Sequence, residues 1–306
     1  MLSSYSIHTD LALEDKERYE SDNVEISGVS VEEFYDEEKE IRTTEVKILT
    51  ENGAKAMKKP IGTYITMEVA NLVLPDGAYH TIIAKELAMH LKELLPIAEE
   101  DATILVVGLG NREVTPDALG PRVVDALHVN RHFVGEYGKY AMGEDTAHMI
   151  SAIAPGVMGQ TGMETWEIIK GISEEIKPDG IIVVDALAAR NTKRLNKTMQ
   201  IADTGIHPGS GVGNHRSELS KDTLGVPVIA IGVPTVVDAA TIVRDTMENL
   251  LVHLEEEEKY EVMQELIAPH LYGMFVTPKN IDESVEWIGK TIAQGLNLLF
   301  SAEKES

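Results

Sequence analysis

Two stretches settle the fold: ILVVG at residues 104–108 and IIVVDA at residues 181–186. Each is short, apolar and rich in β-branched residues, and turn residues close it, as expected of a central strand covered on both faces. A third run, VIAIGVP at 228–234, completes the set. Helical periodicity fills the spaces between. Residues 81–95 place Ile83, Leu87, Leu91, Leu94 and Leu95 on one stripe, and Pro96 marks the stop. Residues 164–176, 239–254 and 285–299 show the same period, the last with Val285, Ile288, Ile292, Leu296 and Leu299 in phase. Upstream, EVKIL at 45–49 and TYITMEV at 63–69 alternate as strands. Strands alternating with helices predict an α/β fold, a three-layer sandwich whose mostly parallel sheet carries helices on both faces.

Composition bounds the rest. A chain of 306 residues with 43% apolar content can form its own core, burying roughly 75% of its unfolded surface. With 51 acidic against 27 basic residues the net charge is −24, which repels phosphate backbones and anionic lipid. Direct nucleic-acid binding and membrane docking are therefore not expected. The sequence has no cysteine, which excludes disulfides, thiolate metal sites and thiol proteases. The start, MLSSYSIHTD, lacks a cationic segment followed by an apolar one, and no 18 apolar residues run together. A soluble cytoplasmic protein is the expectation. Residues 14–40 hold twelve acidic side chains against Lys16, Arg18 and Lys39, which reads as a solvated face or an acidic N-terminal arm. The run at 255–258 reads the same way.

In an open α/β sheet the ligand site lies beyond the carboxyl ends of the strands, so the loops there carry the functional argument. GLG at 108–110 does not complete a dinucleotide motif, because Glu113 stands where the third glycine belongs. Gly289-Lys290-Thr291 matches the end of a phosphate loop but lies within an amphipathic helical stretch, with Ser284 at the first glycine position. There is no HExxH, and Ser210 in PGSGVG lacks the spacing of a nucleophile elbow.

Two aspartates remain. Asp117 follows the first apolar run within TPDALGP, and Asp185 closes the second. On neighbouring strands their carboxyls would share one crevice. Two such carboxyls cannot both ionise in a low-dielectric site, so one keeps a proton. The charged member can then activate water while the protonated one hydrogen-bonds the developing oxyanion, which is peptide hydrolysis without cysteine, serine or metal. The plainer readings are a helix cap for Asp117 and a backbone acceptor for Asp185. His207, before Pro208, is a candidate third ligand in a metal-dependent hydrolase using Asp117, Asp185 and His207. His215 and Arg216 read as exposed residues, and a non-catalytic protein holding a ligand in its glycine loops is the alternative of another class.

Several blocks now resemble a known family. VTPDALGPRVVDAL at 114–127, VVDALAAR at 183–190, GIHPGSGVGNHR at 205–216 and GVPTVVDAATIV at 232–243 look like the germination proteases of spore-forming bacteria. The resemblance runs from about Tyr5 to the TPK ending at Lys279. It implies a fold like that of the hydrogenase maturation proteases, a homotetramer in the spore core, and an atypical aspartic peptidase without a cofactor. Its catalytic pair falls on Asp117 and Asp185, and its substrates are small acid-soluble spore proteins. In the related hydrogenase proteases a metal constellation occupies a similar place, which keeps His207 as a candidate.

The resemblance further implies a self-processing zymogen, cut like its substrates after an acidic residue and before a large apolar one in a segment such as Thr-Glu-Phe-Ala-Ser-Glu. Thr9-Asp10-Leu11-Ala12-Leu13-Glu14 shares that pattern at five of six positions, Leu13 being the exception. The expected organisation is a propeptide at 1–10, a cut between Asp10 and Leu11, and a single peptidase domain at 11–306. His8 stands where the family pattern carries Arg, a residue type that titrates near neutrality where Arg does not. A plain frayed terminus is the other reading of this segment.

Overall fold

The three apolar runs become adjacent parallel strands at the centre of one sheet. The computed structural model describes residues 9–21, 26–96, 101–138, 148–207, 217–250, 271 and 273–300. Among the described residues nine strands form this sheet: β1 (Val29–Asp36), β2 (Ile41–Ile48), β3 (Gly62–Val69), β4 (Thr103–Gly108), β5 (Met149–Ile153), β6 (Gly180–Ala189), β7 (Thr198–Ala202), β8 (Val228–Asp238) and β9 (Phe275–Val276). The order is β1-β2-β3-β7-β8-β6-β4-β5, with β9 added to β8. The β8-β6-β4-β5 half is parallel. The β1-β2-β3-β7 half is antiparallel and joins β8 antiparallel. The expected parallel core is present, and a wing of hairpin strands extends it.

Helices in chain order are α1 (Ala12–Ser21), α2 (Glu51–Met57), α3 (Gly77–Leu94), α4 (Leu119–Ala126), α5 (Arg131–Tyr137), α6 (Met158–Thr161), α7 (Thr165–Ile176), α8 (Lys221–Leu224), α9 (Ala239–Leu250) and α10 (Ile281–Phe300). They cover both faces, because alternate residues of each central strand point to opposite sides. Ile104, Val106, Ile182 and Val184 face the large core built with α3, α4 and α10. Leu105, Val107, Ile181 and Val183 face Ile169 of α7. Among the described residues, no helix is long and apolar enough to cross a membrane.

The differences from expectation are local. α3 starts at Gly77 rather than Thr81, because Asp76 caps it, its Oδ1 accepting from the N–H groups of Ala78 and Tyr79 at 3.0 and 3.2 Å. The acidic run holds α1 and β1. The outer half of β1 exposes Glu32, Glu33 and Phe34, so its solvated face hides the strand pattern while β2 supplies its ladder. Gly289-Lys290-Thr291 lies inside α10, where Lys290 pairs with Glu286 at 2.7 Å. The continuation of the 239–254 periodicity past α9 and the 255–258 run lie outside the described residues.

α10 packs closely on α3, and a Cβ placed on Gly295 would meet Leu87 Cδ2 at 2.9 Å. Leu87 is fully buried there. Leu87→Ala is expected to lower stability by about 2–5 kcal/mol, seen as a lower urea midpoint with an unchanged slope.

Candidate active site

β4 and β6 run side by side and end differently. The last residue of β4, Gly108, pairs with Val184, and the Leu109 N–H donates to the Val184 carbonyl at 2.8 Å. β6 does not stop at Asp185, where the apolar run suggested an end. It continues to Ala189 against β8 alone, with Asp185 opposite Gly232. The strand is longer because ALAA sustains the β8 ladder after β4 has turned away. Asp185 is therefore the first residue past the β4 ladder, 7% exposed, and its Oδ1 accepts from the Ala186 N–H at 2.9 Å.

The chain leaving β4 returns in a 3-10 turn, Thr115–Asp117, packed against β6, β8 and α10. Asp117 is half-buried. Its Oδ2 and its backbone carbonyl both accept from the Asn111 N–H, at 2.8 and 3.1 Å. Gly110 makes this possible: its φ is +109°, and a Cβ there would lie 1.9 Å from the Asp117 carbonyl oxygen. Asp117 is not the cap of α4, whose N-cap is Ala118 with no side-chain cap bond. Adjacent parallel strands thus carry both aspartates to the same end of the sheet. Asp185 shares its face with Ile181, Val183 and Leu187 by strand alternation.

His207 is exposed beside the Ile206–Leu219 bridge, with Nε2 3.6 Å from Glu218 Oε2. Among the described residues no group of three His, Asp or Glu side chains is placed to hold a metal ion. Leu219, the partner in that bridge, is buried with Leu105, Val107, Ile181 and Val183 of β4 and β6. His8, Ser210, His215 and Arg216 lie outside the described residues.

The segment expected to be cut is docked on the projecting end of β6. The Asp10 N–H donates to the Ala188 carbonyl at 3.2 Å, and the Ala188 N–H returns to Asp10 Oδ2 at 2.9 Å. The Asp10 carbonyl accepts from Lys59 Nζ at 3.0 Å and Gln200 Nε2 at 3.1 Å. Leu11 is fully buried with Leu187 and Ala189, against Leu195 and Ile206. Glu14 accepts from the N–H groups of Arg190 and Asn191 at 2.7 and 2.9 Å, and Arg194 Nη1 lies 3.3 Å from it. Burial opposes the charge on Arg194, but Glu17, Glu14 and Glu68 outweigh it and hold its pKa above the usual guanidinium value. Sequence reasoning missed Lys59, Gln200 and Arg194. They belong to no motif, and Lys59 before β3 lies far along the chain from Arg194 and Gln200 at β7.

The chain is similar to known proteins along most of its length. The sequence model of the germination protease family matches residues 7–257. A germination protease of Caldanaerobacter subterraneus subsp. tengcongensis is 47% identical over 315 residues, covering 97% of this chain and 95% of the relative. That of Clostridium tetani is 46% identical over 311 residues, covering 96% and 95%. That of Bacillus cytotoxicus is 41% identical over 351 residues, covering 97% and 94%. Among solved structures, a NiFe hydrogenase maturation protease from Thermococcus kodakarensis is similar at 20% identity and a TM-score of 0.30, covering 64% of this chain and 92% of that one. The molecule is thus a peptide-bond hydrolase on an α/β sheet. The chain belongs to the germination protease family and is an endopeptidase of the spore.

Gly232, opposite Asp185, has no room for a side chain, since a Cβ would meet Leu187 Cδ1 at 2.4 Å. Gly232→Ala is expected to cost about 1–3 kcal/mol by overpacking. Adding Leu187→Ala should recover part of that loss in the same melting experiment if the Leu187 contact is its source.

Proposed function

We propose that this endopeptidase initiates degradation of small acid-soluble spore proteins during germination, with Asp117 and Asp185 activating water. The observation that carries the reading is the delivery of both acids, by adjacent parallel strands, to the end of the sheet where the acid-apolar segment at 9–14 is docked. One carboxylate removes a proton from water as its oxygen attacks the carbonyl carbon of the residue before the scissile bond. The other, protonated, donates to the carbonyl oxygen as it gains charge, and a proton passes to the leaving amine as the C–N bond breaks. The buried position of Asp185 and the half-exposed one of Asp117 provide the unequal surroundings that such a pair needs. A metal-dependent hydrolase using Asp117, Asp185 and His207 is the second reading; the one proposed uses protein groups and water alone.

The same reading makes the chain a zymogen with a propeptide at 1–10, a cut between Asp10 and Leu11, and a single peptidase domain at 11–306. Asp10 is held at Ala188, three residues past Asp185, a backbone span of about 10 Å. Processing therefore requires the segment to move toward the acids. A homotetramer in the spore core, acting on DNA-binding substrates while its own negative charge keeps it off DNA, belongs to this reading.

Asp117→Asn and Asp185→Asn chains are expected to fold with unchanged circular dichroism and to lose at least about a hundredfold in cleavage rate. Undiminished cleavage by either would remove that acid from the mechanism, and inactivation of the unaltered enzyme by EDTA would favour a metal. N-terminal sequencing of the matured protein should begin at Leu11, and a different new terminus would refute the assigned cut.

A further inference from the structure

β5 is the outer neighbour of β4, and their parallel ladder ends where Val107 faces Ile153. Past that point the two chains part, each into its own turn at the carboxyl end of the sheet. One side-chain bond joins them again: Gln160 Nε2, on α6, donates to Asn111 Oδ1 at 2.9 Å. Asn111 is the residue whose main-chain N–H holds Asp117, reaching its Oδ2 at 2.8 Å and its carbonyl oxygen at 3.1 Å. A path of two hydrogen bonds therefore runs from α6 to a carboxylate oxygen of the candidate catalytic acid.

Local structure fixes both ends of this path. Asn111 Oδ1 also accepts the Glu113 N–H at 3.0 Å, the turn that an asparagine makes with the backbone two residues on. The Gln160 amide folds back over Gly156: its Oε1 accepts the Val157 N–H at 3.4 Å, and a Cβ on Gly156 would lie 2.7 Å from that oxygen. α6 is closed in turn, the Gly162 N–H donating to the Met158 carbonyl at 2.8 Å and the Met163 N–H to Thr161 Oγ1 at 3.2 Å. α7 follows at once and buries Ile169 against β4 and β6. Gln160 is thus carried on a turn anchored at both ends, while the turn bearing Asn111 and Asp117 starts from the end of β4.

We infer that Gln160 is a positioning residue of the endopeptidase, bracing Asp117 through Asn111 from the turn after β5. The inference rests on the reading of Asp117 as a catalytic acid and deepens it. Gln160 is exposed, and Asn111 Oδ1 already has the Glu113 N–H, so the second donor does not rescue a buried, unpaired acceptor. What it adds is registry between two turns that the β4–β5 ladder no longer holds together. A carboxylate that must meet water and a carbonyl carbon in one geometry loses rate when its turn drifts, and about 1 Å of misplacement can cost about a hundredfold. The brace therefore acts on the chemical step and leaves substrate binding alone.

The test is steady-state cleavage of a small acid-soluble spore protein by the matured chain. Gln160→Met keeps the side-chain length and removes the donor. It should leave circular dichroism and melting unchanged, lower kcat about three- to tenfold and keep KM within about twofold. Asn111→Ala should lower kcat at least as far, and adding Gln160→Met to it should cost nothing more, because the two residues act along one path. An unchanged kcat in Gln160→Met, a raised KM with kcat intact, a full further loss in the double variant, or loss of the fold in Gln160→Met would each overturn the inference and leave the acid pair as it stands. Cleavage by Asp117→Asn at the unaltered rate would overturn both. If Asn111→Ala does not fold, the division between kcat and KM in Gln160→Met decides alone.

Discussion

The ladder between β6 and β8 outlasts the ladder between β6 and β4, and the site depends on that inequality. β8 accompanies β6 from Ile181 to Ala189, whereas β4 leaves it at Val184. A buried strand cannot leave its main-chain groups without partners. The edge released by β4 is therefore filled by whatever acceptors reach it. The Leu109 N–H closes the last carbonyl of the shared part, and carboxylates from Asp185, Asp10 and Glu14 take the N–H groups that follow. One difference in strand length thus places a candidate catalytic acid and leaves beside it the edge that Asp10 and Glu14 of the same chain occupy.

The charge of the chain has a local meaning at this edge. Arg194 is nearly buried and faces Glu14 at 3.3 Å, Glu17 at 2.5 Å and Glu68 at 3.5 Å. Two of these acids belong to the N-terminal segment and one to β3. Removing the segment withdraws two partners and leaves Glu68, so the cation is never stranded without a counter-charge. That arrangement avoids the large penalty of an isolated buried ion.

Much of the fold was legible because its central strands are covered on both faces. ILVVG, IIVVDA and VIAIGVP could hardly be anything else, and the stripes of Leu87 and Leu91 in α3 and of Ile288 and Ile292 in α10 follow from burying one side of a helix. β1, β5 and β7 were not legible. β1 shows acids to solvent, and MISAI and TMQIA are five-residue strands whose composition also suits a turn of helix. Their identity as strands comes from partners distant in the chain, as when β7 takes its place between β3 and β8.

The candidate site divides along the same line. Asp117 and Asp185 stand out in the sequence because strand ends and glycine turns are local features, written in a few consecutive residues around each acid. The sequence by itself determined the α/β class and marked the two acids and the acid-apolar segment at 9–14. Only the tertiary structure decided that Asp185 lies within its strand rather than at its end, that His207 lies beside Glu218, and that Lys59, Gln200 and Arg194 converge on Asp10 and Glu14. Those outcomes depend on which strands stop first and which strands become neighbours. That is a balance of backbone pairing across distant segments, which no short stretch of residues encodes.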